Sequence, residues 1–195
     1  TTLVVDKTGT LTEGRPTVSD VQPVPQVDAA HLLAVAYALE KDSEHPLARA
    51  VVDYATAQGV QAPAASAFQA VPGMGVTAQI GGALARLGSP RFLADAGVTL
   101  DHAVIQALES EGKTVVGVTV GAQLLGYIAL SDRLRPDAIA TVRALKKSGI
   151  KVVMLTGDNQ RTASVVAAQV GVDEYMAANS SALISFTIRP PSIKP

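Results

Sequence analysis

Short apolar segments separated by polar residues predict the secondary structure at the two ends of the chain. Residues 3–5 form a mostly β-branched run that ends at Asp6, which predicts a buried strand carrying a carboxylate at its carboxyl end. Residues 7–10 then predict a loop. After Asp132 the order becomes helix, strand, turn and helix, over residues 136–148, 151–155, 156–158 and 161–170. This alternation is typical of a parallel sheet with packed helices.

The middle of the chain has a different pattern. Residues 21–28 carry two prolines and predict a connection between folding units. Asp28 can cap a helix over residues 29–40, and a second helix is predicted over residues 46–59. Strand patterns separated by glycines cover residues 68–71, 76–80, 83–87, 115–120 and 124–130, and helical spacing covers residues 90–96 and 101–111. Such a series predicts a mainly antiparallel sheet with these last two helices packed on one face.

Together these patterns predict two domains. In doubly wound parallel sheets, ligands lie beyond the carboxyl ends of neighbouring strands, and Asp6 and Asp158 both follow such strands. We therefore expect an α/β domain made of residues 1–20 and 128–178. Residues 21–127 would form an inserted α+β domain, and residues 179–195 a divergent tail.

Composition narrows the function classes. Sixteen basic and seventeen acidic residues give a formal charge of −1, which does not favour nucleic acid as a partner. Cysteine is absent, which excludes disulfides, thiolate metal sites and a cysteine nucleophile. The apolar runs are too interrupted for a spanning helix, and the chain opens without a basic leader. We therefore expect a soluble, cytoplasmic globular protein.

The run DKTGT, which begins at Asp6, is the most informative motif. Five fixed residues would occur by chance on the order of once in ten thousand chains of this length. A carboxylate at a strand end can attack a phosphoryl group in line and form an acyl phosphate, which divides one difficult hydrolysis into two easier steps. Magnesium would offset the repulsion between the carboxylate and the phosphate. The structural alternative is an aspartate that only caps a turn.

Three further segments add candidate binding residues. The sequence TGDN follows the strand at residues 151–155, and a hydroxyl with a glycine at such a position suits phosphate coordination, although Asp158 or Asn159 could simply cap a helix. SEHPLA, at residues 43–48, is followed by PGMGV at residues 72–76; alone, they would indicate a structural histidine and a hairpin turn. SDRLRPDA, at residues 131–138, offers Asp132, with a local ion pair to Arg135 as the alternative.

The order of these motifs resembles the heavy-metal-transporting P-type ATPases of the haloacid dehalogenase-like superfamily. The resemblance covers residues 1 to about 177. It implies that Asp6 accepts the phosphoryl group of ATP, that Lys7 faces the phosphates, and that Asp6 and the Thr8 carbonyl hold Mg²⁺. It also implies that Thr156, Gly157 and Asp158 complete the phosphate site.

For the middle domain, the resemblance implies that Glu44 and His45 contact the adenine and that Gly73 and Gly75 leave room beside it. Asp132 would lie near the ribose and phosphates. The implied partners are ATP and the transmembrane and actuator domains of a pump on the cytoplasmic face of a membrane. Copper is the metal that the family suggests.

The resemblance is incomplete at the carboxyl end. The family continues with a lysine motif and with GDGxND, and neither is present. The resemblance therefore implies an incomplete sheet with an exposed edge beside Asp6, and residues 182–188 have the composition of a strand that covers such an edge in the same chain or in a neighbour. Two alternatives stay open: an ATP-binding fragment without turnover, and a free-standing phosphatase of the same superfamily.

Overall fold

The computed structural model describes residues 1–177, and these form two sheets with helices packed against them. The strands and helices, in chain order, are β1 (Thr2–Asp6), β2 (Thr17–Pro23), α1 (Ala29–Glu40), α2 (Pro46–Ala57), β3 (Ala65–Val71), β4 (Gly75–Ile80), β5 (Ala83–Gly88), α3 (Pro90–Asp95), α4 (His102–Glu109), β6 (Thr114–Val120), β7 (Gln123–Ser131), α5 (Ala138–Lys147), β8 (Lys151–Leu155), α6 (Gln160–Val170) and β9 (Glu174–Met176). The predicted mixed α/β class is confirmed.

The smaller sheet is parallel, with strand order β1-β8-β9. Helices α5 and α6 pack against it through a core that includes Val142, Val152, Met154 and Val166. We call this sheet with α5 and α6 the small lobe. β1 has β8 as its one neighbour among the described residues, so the expected exposed edge beside Asp6 is present.

The prediction that β1 is buried is wrong. Leu3 and Val4 are 37% and 40% exposed, and only Val5 packs against the small-lobe core. An apolar run records a preference for burial but does not record whether a neighbouring strand or helix covers it. Residues 182–188, predicted to cover an edge, lie outside the described residues.

The larger sheet has six antiparallel strands in the order β2-β7-β6-β5-β4-β3. Side chains alternate across it. Val116 and Val118 of β6 pack with α1, whereas Val115 packs with α4 and Gly117 lies against Leu93 of α3. The predicted placement of α3 and α4 on one face is therefore confirmed. We call this sheet with α1–α4 the large lobe.

The predicted connection at residues 21–28 is partly wrong, because residues 21–23 complete β2, which pairs with β7. The prolines misled the prediction: Pro23 ends an edge strand, where the missing amide hydrogen is tolerated. Both β2 and β7 run past the predicted domain boundaries at residues 20/21 and 127/128. The boundaries themselves stay a prediction.

Candidate functional site

Asp6 lies at the carboxyl end of β1, directly beside Leu155 of β8 in the parallel register. Thr156 follows Leu155, so the first and second phosphate-site motifs begin at adjacent strand ends. The Asp6 side chain is exposed, and no hydrogen bond to it is formed by any residue from 1 to 177. Its carboxylate is therefore accessible to a ligand from solvent.

The predicted loop after Asp6 is a tight turn over Lys7–Leu11. Thr8 is extended within it, and Gly9 has a φ of +77°, which favours glycine. The amide of Thr12 donates to the Lys7 carbonyl at 3.0 Å and closes the turn. Lys7, the first residue of this turn, is buried rather than extended into solvent.

Lys7 pairs with Asp158. Its Nζ lies 2.5 Å from Asp158 Oδ2, and the two side chains are only 10% and 11% exposed. The buried Thr156 hydroxyl lies 3.1 Å from the same Oδ2 and also accepts from the Asp158 amide. Three of the predicted site residues, Lys7, Thr156 and Asp158, are thus brought into one polar cluster. We call it the phosphate-site cluster.

The TGDN loop also begins α6. Asn159 caps the helix, because its side-chain oxygen accepts from the Thr162 amide at 3.0 Å. The capping alternative considered for this motif therefore holds for Asn159, while Asp158 points into the phosphate-site cluster. Gly157 is exposed, and a Cβ atom there would meet no atom within 4 Å. The motif has room for a ligand at this position.

Asp132 forms hydrogen bonds with the segment that follows DKTGT. Its Oδ2 accepts from the buried Thr12 hydroxyl at 2.6 Å, and its Oδ1 accepts from the Arg15 amide at 3.1 Å. The ion pair with Arg135, which was the alternative role for Asp132, does not form; Arg135 lies 3.6 Å from Asp137 instead. Thr12 lies just beyond the five-residue motif, and sequence reasoning missed its role of joining Lys7 to Asp132.

His45 caps α2. Its Nδ1 accepts from the Leu47 amide at 3.2 Å, and Pro46 occupies the first helical position, where its missing amide hydrogen has no cost. An accepting Nδ1 requires that the ring proton sit on Nε2. Both His45 and Glu44 are exposed, so their predicted adenine contacts are sterically open.

Glu40 is the residue that sequence reasoning missed beside this loop. It ends α1, three positions before Ser43, and is only 6% exposed. Its Oε2 is buried without a hydrogen-bond partner. Burial raises the pKa of the Glu40 carboxyl to about 7, against the lowering effect of a hydrogen bond from Ser43. The available signal in the sequence was its position four residues after Ala36, which places Glu40 on the same face of the predicted helix.

The two predicted glycines have different physical reasons. Gly73 lies in the turn between β3 and β4 with a φ of +70°, and a Cβ there would meet nothing within 4 Å. A Cβ on Gly75 would come 2.2 Å from the Leu87 carbonyl oxygen, so Gly75 allows β5 to approach. Only Gly73 therefore offers open space, and the predicted room at Gly75 is already filled by backbone.

Asp6 and the Thr8 carbonyl were predicted to hold Mg²⁺. Their oxygens are hard donors that suit this ion, and the Asp6 carboxylate is free to bind. Within residues 1–177 no three His, Cys, Asp or Glu side chains form a cluster that could hold a metal. The pair would therefore supply only part of a coordination shell.

The structure does not join the two halves of the predicted site directly. Within residues 1–177, no hydrogen bond or ion pair links Glu44, His45 or Gly73 to the phosphate-site cluster. Each half is preformed within its own lobe. The functional roles of all these residues stay predictions.

Comparison with known proteins identifies the family. The haloacid dehalogenase-like hydrolases match residues 1–192. The chain belongs to this family of hydrolases. It is also 43% identical over 180 residues to a copper-transporting P-type ATPase of Rhizobium leguminosarum bv. viciae, a match that covers 90% of the chain and 21% of that protein. The predicted resemblance to heavy-metal pumps is thereby confirmed.

Solved structures of ATPase domains are also similar to this chain. The catalytic domain of the CPx-ATPase CopB-B is 26% identical with a TM-score of 0.70, over 92% of the chain and 61% of that domain. The N-domain of HMA8, a copper-transporting P-type ATPase, is 31% identical with a TM-score of 0.52, over 59% of the chain and 99% of that domain. The chain thus spans only part of its longer relatives.

A membrane-crossing helix would need a long apolar stretch, and none of the helices within residues 1–177 has one.

Proposed function

We propose that the chain binds ATP and accepts its terminal phosphoryl group on Asp6, as a catalytic module of a heavy-metal-transporting P-type ATPase. The observation that carries this proposal is the free Asp6 carboxylate beside the phosphate-site cluster. An exposed carboxylate at a strand end, flanked by a lysine, a threonine hydroxyl and a glycine, suits attack on a phosphoryl group.

In the proposed reaction, an Asp6 carboxylate oxygen attacks the terminal phosphorus in line. The new oxygen–phosphorus bond forms as the bond to the bridging oxygen of ADP breaks, and ADP leaves with that electron pair. Lys7 would supply positive charge to the transferred group, and the Thr156 hydroxyl, which donates to Asp158 Oδ2 in the free chain, would turn to donate to a phosphate oxygen. Bound Mg²⁺, held by Asp6 and the Thr8 carbonyl, would neutralise phosphate charge.

Glu44 and His45 would contact the adenine, and Glu40, which is buried near their loop, is a further candidate. The orphaned Glu40 Oε2 can accept from the exocyclic amino group of the base, which would satisfy a buried oxygen that the protein alone leaves unpaired. The Nε2–H of His45 remains available because Nδ1 is used by the helix cap. Gly73 leaves the backbone of its turn open to a flat ring.

The proposed setting is the cytoplasmic face of a membrane, in a longer pump with transmembrane and actuator domains. Support comes from the relatives, one of which is described as copper-transporting and is about five times as long as the matched segment. Copper is accordingly the proposed cargo. Association of neighbouring chains through residues 179–195 was also predicted; it lies outside the described residues and is not needed for this function.

The deciding experiment uses the 195-residue chain with Mg²⁺ and terminally labelled ATP. We expect acid-stable, hydroxylamine-sensitive label in the wild type and none in Asp6→Asn. Asp53→Asn removes another exposed carboxylate, on α2, and should be labelled as the wild type is. ATP binding by calorimetry without label would indicate a binding fragment. Release of phosphate from small phosphorylated substrates, without ATP binding, would indicate a phosphatase.

A further inference from the structure

One short segment of the large lobe touches the loop that carries Asp158. This segment runs from Glu109, the last residue of α4, to Thr114, the first residue of β6, and we call it the α4–β6 segment. It makes four hydrogen bonds to the described part of the small lobe: Glu109 with Asn159 and with Arg161, the Lys113 carbonyl with the Thr162 hydroxyl, and Thr114 with Asp158. Sequence reasoning gave no function to any of its residues.

Thr114 binds the Asp158 carboxylate oxygen that the phosphate-site cluster leaves free. Its Oγ1 donates to Asp158 Oδ1 at 3.0 Å, whereas Lys7 and Thr156 use Oδ2. Two donors on one oxygen and a third on the other fix the plane of the carboxylate. The orientation of Asp158, and through it the position of the Lys7 ammonium, therefore depends on a hydroxyl from the large lobe.

Glu109 holds the next residue of the loop in the same way. Its Oε1 accepts from Asn159 Nδ2 at 2.8 Å, which turns the Asn159 side-chain oxygen toward the Thr162 amide at the start of α6. Its Oε2 accepts from Arg161 at 3.3 Å. Thr162, fully buried, donates to the Lys113 carbonyl at 2.8 Å.

The α4–β6 segment is itself firmly held in the large lobe. Lys113 Nζ pairs with Asp20 of β2 at 2.8 Å and with Glu111 at 2.5 Å. Thr114 pairs with Leu130 of β7 in the sheet. A displacement of the six-stranded sheet relative to the small lobe would therefore move the donor to Asp158.

We propose that Thr114 is a positioning residue for phosphoryl transfer, acting through Asp158 on Lys7, and that the α4–β6 segment couples the nucleotide-binding lobe to the phosphate-site cluster. The proposal rests on the proposed function for its catalytic consequence. The structural claim, that the α4–β6 segment fixes the TGDN loop, is independent of the proposed function. Thr114 would not touch ATP, so its loss should slow transfer without weakening nucleotide binding.

The test compares four forms of the full chain: wild type, Thr114→Val, Thr114→Ser and Thr119→Val. Thr119 is a matched control, because it lies on the same strand, is fully buried and has a hydroxyl without a partner. Three quantities are measured: the labelling rate of Asp6 at saturating Mg-ATP, the Kd of ATP by calorimetry, and amide hydrogen exchange over residues 157–162.

We expect Thr114→Val to slow labelling roughly tenfold, the worth of one hydrogen bond to a charged group, with the Kd of ATP within about twofold. Exchange over residues 157–162 should accelerate by a similar factor. Thr114→Ser should restore the wild-type values, and Thr119→Val should not differ from them.

Labelling by Thr114→Val at the wild-type rate would overturn the proposal, as would a parallel loss of ATP affinity. If the wild type itself takes no label, the proposed function fails for this chain. The inference is then tested by hydrogen exchange alone. Faster exchange in Thr114→Val but not in Thr119→Val would support it. Equal exchange in the two variants would overturn it.

Discussion

The phosphate-site cluster and the SEHP loop are built in opposite ways. Lys7 and Asp158 are 151 residues apart in sequence and meet in a nearly buried pair. His45 forms its hydrogen bond with a residue only two positions away and stays exposed. The first region is assembled by the tertiary fold, whereas the second is presented by a helix start.

This difference indicates where binding energy can come from. The phosphate-site cluster has satisfied polar groups, so its arrangement is preorganised before any ligand arrives. The region proposed to bind the nucleotide, around Glu40, His45 and Gly73, instead holds an unpaired buried oxygen on Glu40 and open space at Gly73. A ligand there would relieve an existing cost. Mutations in the two regions should therefore differ in their effects on stability and on binding.

The largest effect is expected for Lys7→Ala. Removal of one partner from the nearly buried pair leaves the Asp158 carboxylate without its cation, which should lower the free energy of unfolding by about 3 kcal/mol in urea titrations. Lys151→Ala breaks an ion pair whose side chains are 46% and 58% exposed. This substitution should change the free energy of unfolding by less than about 0.5 kcal/mol. Equal losses in the two variants would show that the cluster is not preorganised.

Glu40→Gln should have an effect of the opposite sign, because its free energy of unfolding should rise relative to that of the wild type as the pH increases. Because burial raises the pKa of Glu40 from 4.5 to about 7, the folded state holds a proton that the unfolded state releases, and wild-type stability falls as pH rises between these values. The amide cannot ionise. Between pH 4 and pH 8, the free energy of unfolding of Glu40→Gln relative to the wild type should therefore rise by about 3 kcal/mol.

Thermal and urea unfolding at pH 4 and pH 8 measure this change. Glu44→Gln, four positions further along and exposed, is the control and should leave the free energy of unfolding unchanged at both pH values. A difference between Glu40→Gln and the wild type that is the same at pH 4 and pH 8 would contradict the burial argument.

The smallest effect on stability is expected at His45, where the two roles can be separated. His45→Ala loses the cap of α2 and should cost about 1 kcal/mol. His45→Asn keeps a capping side chain and should retain wild-type stability, yet it removes the imidazole. If His45 contacts adenine, both variants should bind ATP more weakly in calorimetry. Wild-type ATP affinity in His45→Asn would show that His45 acts only as a helix cap and does not contact the adenine.

Local sequence patterns predicted strands and helices well where interactions within a few residues determine the structure. The β8 strand, Lys151–Leu155, was predicted with its bounds, and α1 likewise, because a capping residue and a continuous apolar face define them. β2 was missed because two prolines suggested a connection, and β1 was expected to be buried because its apolar residues carry no information about neighbours. Both errors concern pairing between distant segments.

The candidate site divides in the same way. DKTGT and TGDN were found as motifs, since the chemistry of phosphoryl transfer requires specific residue types in a short segment. Glu40, Thr12 and Thr114 were not found, because each acts through a residue that lies elsewhere in the chain or through burial that one position cannot reveal.

The sequence by itself determined the residue types at the strand ends, the helix caps and the turn glycines, since these depend on interactions within a few residues. Only the tertiary structure decided that Lys7 pairs with Asp158 and that Thr114 donates to it. The physical reason is that hydrogen bonding and burial at these positions are set by side chains that the fold brings from tens of residues away.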